Sequence, residues 1–194
     1  SYHYWFMVWN LVLAWLPLLF AWAWLLYIRK NRVLSVIGIT LLLLWLGFLP
    51  NSFYLITDFI HVRQASQVTV LYDVAMLGSF TATGLILGYV SLALVHMELL
   101  KRMRRDYAHA IVGAVLFLCS FAIYLGRFLR WNTWDVLVNP IGILLSFSGQ
   151  YSQSFVKTEI FSTTVTFFVL LASIYLVCWQ LVRAFHDAHT TMTD

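Results

Sequence analysis

The sequence predicts an all-α fold: a polytopic transmembrane helix bundle of about five spanning helices, with short interfacial or re-entrant helices on the outer side. Three observations carry that prediction. Hydrophobic residues make up 62% of the 194-residue chain, charged residues only 10%, and mean hydropathy is +0.83. A soluble domain of this size carries about 25% charged residues, so this chain could not cover its surface in water. The apolar residues fall in runs close to the ~20 that a helix needs to cross a bilayer, and the basic residues cluster between those runs, as topology signals do.

The elements follow in order. The first span is about 5–28, closed by Arg29, Lys30 and Arg32. Its start, SYHYWFMVWN, has no basic n-region and no small-residue cleavage site, so it reads as a span and not as a signal peptide. The second is about 33–50, and Pro50 disfavours helix at Leu49, which predicts a break there. The third, about 70–99, ends before KRMRR at 101–105; the fourth is about 108–128 and the fifth about 158–183. Gly78, Ser79, Gly84 and Gly88 give the third span a small-residue surface suited to close helix packing. No internal repeat or linker divides the chain, so residues 1–194 are expected to form a single integral-membrane domain.

Two segments do not span. Residues 51–69 follow the second helix, and residues 136–156 hold an apolar run broken by Pro140 and too short to cross. Such segments lie in the interface or re-enter the membrane against protein or water.

Eight of the twelve lysines and arginines (29, 30, 32, 101, 102, 104, 105 and 183) fall on one side of a five-span topology. The positive-inside bias makes that side cytoplasmic, with loops 29–32 and 101–105 and the C-terminus inside. Arg63, Arg127, Arg130 and Lys157 fall on the other side. An additional helix upstream of residue 1 would leave the sides unchanged. The net charge of +4 does not imply nucleic acid, because no basic patch is interleaved with exposed aromatics. Cys119 and Cys178 lie inside apolar runs and are expected to be buried thiols. No G-x-S-x-G, P-loop, CxxC or dinucleotide fingerprint occurs, which argues against the common soluble enzyme classes.

Polar residues concentrate on the outer side. Read as a helix, PNSFYLITDFIH places Asn51, Tyr54, Asp58 and His61 on one stripe, apart from Phe53, Leu55 and Ile56. In apolar surroundings such a stripe turns towards protein or a wet cavity. Asp58 and His61, one turn apart, are candidates for acid/base work or for part of a divalent metal site. Two ligands are too few for a metal, and the alternative is a hydrogen-bonded Asp–His–Tyr network closing a helix end. Tyr72 and Asp73 open the third span, where the helix dipole favours a carboxylate, so Asp73 has a structural reading and a binding one.

The stretch GRFLRWNTWD, 126–135, ends the fourth span. Continued as a helix, it aligns Tyr124, Arg127, Trp131 and Asp135, with Arg130 and Trp134 as a second pair. Arginine and tryptophan commonly anchor helix ends. Two such pairs beside Asn132 and Asp135, on the side poor in basic residues, also suit an anionic group, since the guanidinium fork matches phosphate or carboxylate. His96 and Glu98, near KRMRR, read as interfacial, and Ser162, Thr163, Thr164 and Thr166 as backbone-bonded hydroxyls.

The patterns PN-x-x-Y-x-x-T-D-x-x-H and GRF-x-RWN-x-WD, with the YD pair at 72–73, resemble the bacterial integral-membrane family catalogued as domain of unknown function 1361. The resemblance covers most of the chain. It implies a small polytopic membrane protein and brings no catalytic residue with it.

The expected function is an extracytoplasmic-side polar pocket that binds or processes an anionic lipid or lipid-linked substrate. Asn51, Tyr54, Asp73, Tyr124, Arg127, Arg130, Trp131, Asn132 and Asp135 would bind it, with Asp58 and His61 as candidate acid/base groups. The alternatives are a carrier or ion-translocating protein, or a non-catalytic accessory subunit. Membrane lipid is the expected partner, with a membrane-protein partner or a homo-oligomer also open.

Overall fold

A computed structural model describes the backbone of residues 5–58, 70–128 and 154–193, and the side chains of 8–58, 70–126 and 160–184. The described residues form five long helices and no strand: α1 (Trp5–Ile28), α2 (Val36–Tyr54), α3 (Val70–Arg102), α4 (Arg105–Phe128) and α5 (Ser154–Thr193). Each holds a stretch long and apolar enough to cross a bilayer, the five being Val8–Ile28, Val36–Asp58, Val70–Arg102, Arg105–Gly126 and Ile160–Ala184. The chain is a multi-pass integral membrane protein.

Burial is sorted by shape more than by polarity, as lipid requires. On α1, Ala14, Pro17, Ala21, Trp24 and Ile28 face inward at alternating three- and four-residue steps. Trp15, Leu19, Trp22 and Leu26 lie on the outward face. Both faces are apolar, so no hydrophobic difference drives α1 inward; small residues and close contact do. Ala14 lets α2 approach until Ser52 Oγ donates to the Ala14 carbonyl at 3.0 Å.

Ser35 caps α2, its hydroxyl accepting from the Gly38 N–H at 3.2 Å. This moves the start of the second span from the expected 33 to Val36. The expected break at Pro50 does not occur, and α2 runs through it to Tyr54. Proline removes one helical hydrogen bond, but in a membrane neighbouring helices satisfy the freed groups. Buried Phe48, Leu49, Ser52 and Phe53 hold α2 against its neighbours on both sides of Pro50.

Of the expected small-residue surface of α3, Gly84 and Gly88 pack on α2, while Ser79 is exposed and donates to the Ala75 carbonyl of its own helix. A Cβ at Gly84 would lie 2.6 Å from the Ser52 carbonyl oxygen, and one at Gly88 would lie 2.8 Å from the Phe53 ring. Thr81 Oγ1 donates to the Leu55 carbonyl at 3.0 Å, fixing the antiparallel register of the two helices. The turn from α3 to α4 is shorter than KRMRR suggests, with only Met103 and Arg104 outside helix. Cys119 of α4 is buried as expected, Cys178 of α5 is exposed, and the two are not bonded. The core joins Trp24, Trp45, Leu49, Phe53, Leu92 and Leu116 to Leu171 and Tyr175 of α5.

Candidate functional site

The antiparallel register sets two distinct ends. At one, the C-terminal ends of α1 and α3 meet, Leu25, Ile28 and Arg29 facing Leu94, Glu98 and Lys101. At the other, α2 ends, α3 begins and α4 arrives, so Asp58, Asp73 and Tyr124 share an end. Measured from the Thr81–Leu55 contact, Asp58 lies about 6 Å further out at the ~2.0 Å rise of a 3₁₀ turn. Asp73, eight residues before Thr81, lies about 12 Å out at the ~1.5 Å rise of an α-helix.

Asp58 is 3% exposed and Asp73 9%, and Tyr124 is buried as well. None of the three is an isolated group, each being engaged in an interaction. That fits the cost of burying a carboxylate, which is several kcal/mol unless cations or donors surround it.

Of the expected stripe, Asn51, Tyr54 and Asp58 lie among the described residues and His61 lies outside them. After Tyr54 the chain tightens into a 3₁₀ turn, Leu55–Asp58. Side chains at i and i+3 eclipse in that geometry. Asp58 therefore follows Leu55 into the interior, while Asn51 and Tyr54 stay half-buried. Asn51 Nδ2 donates to the Phe48 carbonyl at 3.2 Å, and Thr57 Oγ1 to the Tyr54 carbonyl at 2.8 Å, both satisfying their own helix.

The backbone of α4 carries Arg127 to this same end. Its side chain, together with His61, Arg130, Trp131, Asn132 and Asp135, lies outside the described residues. So does the expected non-spanning segment 136–156, except for residues 154–156, which begin α5. Among the described residues no three His, Cys, Asp or Glu come together as metal ligands.

A second polar centre was not expected. His96 is fully buried, not interfacial, and its Nδ1 lies 2.7 Å from the Tyr175 hydroxyl. Its ring lies 4.3 Å from Trp179, and 4.9 Å edge-on from His109 of α4, measured between centroids. His96 Nε2 has no hydrogen-bond partner among the described residues. The signal was in the spacing: Tyr89, Leu92 and His96 are three and four residues apart, on the face of α3 that the core buries. Glu98, by contrast, is paired with Lys101 and Arg102 at the C-terminal end of α3.

Neither a curated protein nor a solved structure matches the chain. The family described as proteins of unknown function, DUF1361, matches residues 9–176. That match takes in all five spans apart from Val8 at the start of the first and the last turns of α5, along with both polar patterns, and the chain belongs to this family.

Proposed function

We propose that the end bearing Asp58 and Asp73 is a binding site for an anionic lipid or lipid-linked substrate. The observation that carries this reading is the delivery of two buried carboxylates and Tyr124 to the end where α4 brings Arg127. A guanidinium steered by a buried carboxylate presents its remaining N–H groups in a fixed fork, which suits a phosphate headgroup. In this reading Arg127 and Arg130 hold the headgroup and Asp58 and Asp73 orient them. Trp131, Asn132 and Asp135 line the mouth, and Asp58 with His61 supplies acid/base chemistry if the lipid is processed. The eight basic residues on the opposite side favour, through the positive-inside bias, an extracytoplasmic position for this end.

The transport alternative needs a polar path between the two ends. The hydroxyls of α3 between them are already engaged internally, Thr81 with the Leu55 carbonyl and Ser91 with the Gly88 carbonyl and Trp45. That favours binding at one end over passage through the bundle.

The test is the lipid that co-purifies in mild detergent, identified by mass spectrometry of the extract. Wild-type protein is expected to retain an anionic phosphate-bearing lipid. Arg127→Ala, Arg130→Ala and Asp58→Asn should each lose it at unchanged folded yield. Full retention in all three variants would overturn the reading, and loss of yield together with lipid would favour purely structural ion pairs.

A further inference from the structure

We infer that the cleft between the ends of α1 and α3 is a separate binding site for the headgroup of an anionic phospholipid of the surrounding bilayer. This site is at the opposite end from Asp58 and does not rest on the function proposed there. The cleft, about 260 Å³, has apolar walls from Leu25 and Ile28 of α1 and Leu94 and Met97 of α3. Its rim carries three cations, Arg29, Lys101 and Arg102, and one carboxylate, Glu98.

Two features single out this cleft from a scatter of basic residues. The first is that an oxyanion already sits in it. Glu98, with its side chain only 12% exposed, accepts from Lys101 Nζ at 3.1 Å and from Arg102 Nε at 2.8 Å. Arg29 stands on the facing wall with no acidic partner within 4.0 Å among the described residues. Three positive charges against one negative leave the cleft net +2, so Glu98 cannot neutralise it. Isolated cations at helix C-termini are commonplace because they complement the dipole. Here cations from two helices converge across one space, which a phosphate diester would bridge.

The second is that the cleft opens onto acyl-chain surface. On α3, Val90, Leu94 and Met97 lead along one face to Lys101, with Val90 and Met97 exposed. On α1, exposed Trp22 and Leu26 lead to Arg29. A charged rim continuous with two apolar stripes matches a molecule with an anionic head and hydrocarbon tails, and does not match a soluble phosphate.

The experiment uses the full chain in mild detergent, with phosphatidylglycerol or phosphatidylcholine added and adducts counted by native mass spectrometry. One phosphatidylglycerol should bind in preference to phosphatidylcholine. Removing two cations in Arg29→Gln/Lys101→Gln should weaken it by about 25-fold, each cation near a membrane surface contributing roughly fivefold. Glu98→Gln, which unburdens Lys101 and Arg102, should tighten it. That gain keeps the test decisive if the double variant is poorly folded. Arg104→Gln/Arg105→Gln, in the adjoining turn, should leave it unchanged. Equal binding of the two lipids, no gain in Glu98→Gln, or an equal loss in the Arg104/Arg105 control would overturn the inference. So would displacement of the lipid by an equal concentration of soluble glycerol 3-phosphate. Unlike the site at Asp58, this one should survive Arg127→Ala, so the two can fail separately.

Discussion

The Nδ1 of His96 on α3 meets the Tyr175 hydroxyl on α5 at 2.7 Å, in a region closed to solvent. The same two helices are joined again seven residues earlier on α3, where the Tyr89 hydroxyl donates to the Leu171 carbonyl at 3.0 Å. α5 is otherwise the least enclosed of the five spans, with Val169, Leu176 and Val177 all outward-facing. In lipid such a helix gains nothing from hydrophobic burial, so specific hydrogen bonds and ring packing hold it in place.

Tyr175→Phe should therefore destabilise the bundle more than the loss of one surface hydroxyl would. It leaves both nitrogens of His96 without a partner among the described residues, a penalty of about 1–3 kcal/mol. Adding His96→Leu removes the stranded group, so the double variant should lose less than the two single variants summed. Unfolding in mixed micelles, followed by circular dichroism, measures all three. A strictly additive double variant would mean that the contact carries no coupling.

Among the described residues, Gly84 and Gly88 of α3 and Gly47 and Gly113 elsewhere have opposite expected outcomes on substitution. Gly84→Ala drives a methyl group against the backbone of α2 at Ser52, which cannot swing aside. It should cost about 1–3 kcal/mol as an overpacked contact. Gly88→Ala meets a ring and a Cβ instead, and should be disruptive to a similar or smaller degree. Gly47→Ala and Gly113→Ala have nothing within 4 Å. They should be neutral or stabilise by about 0.5–1 kcal/mol through backbone entropy alone. Ranking the four melting temperatures checks the packing of α2 on α3 directly.

Much of this fold was legible in the sequence because lipid imposes coarse demands. Each span must be a long apolar run, and close packing needs small residues such as Gly84 and Gly88 on one face. What was not legible turned on local competition. The backbone bias of Pro50 lost to the packing of Phe48, Leu49, Ser52 and Phe53, which local rules do not weigh. The 3.6-residue spacing behind the polar stripe does not hold past Tyr54, where a 3₁₀ turn carries the chain from Leu55 to Asp58. His96 was misjudged by its closeness to KRMRR along the chain, when its spacing from Tyr89 and Leu92 was the better guide. The delivery of Asp58, Asp73 and Tyr124 to one end did follow from span order alone, since alternating helices must alternate ends.

Thr81→Val tests whether the α2–α3 register positions the carboxylate. The substitution keeps shape and removes the donor to the Leu55 carbonyl, at the residue where the 3₁₀ turn begins. Its direct cost should be about 0.5–1.5 kcal/mol. The larger consequence is expected at Asp58, three residues further on, whose inward placement depends on that turn. Lipid retention at the Asp58 end should fall by several-fold while the phosphatidylglycerol cleft at Arg29 is unaffected. Equal losses at both ends would mark a global loosening instead of a local one.

Sidedness is the prediction with the sharpest alternatives. The cleft brings Arg29 and Lys101 to one end, so the α1–α2 and α3–α4 connections face the same compartment whichever it is. The basic residues gathered there favour the cytoplasm. With Cys178→Ala removing the exposed thiol and Cys119 buried, single cysteines can report on each end. Asn31→Cys and Arg104→Cys should react with a membrane-impermeant maleimide only after permeabilisation, and Tyr72→Cys, exposed at the other end, in intact cells. If 31 and 104 label together from outside, the bundle stands and its orientation is inverted, which would put the Asp58 end in the cytoplasm. If 31 and 104 label from opposite sides, α2 and α3 do not form an antiparallel pair. The shared end for Asp58 and Asp73 would then go with it, because that register brings the two residues to the same end of the bundle.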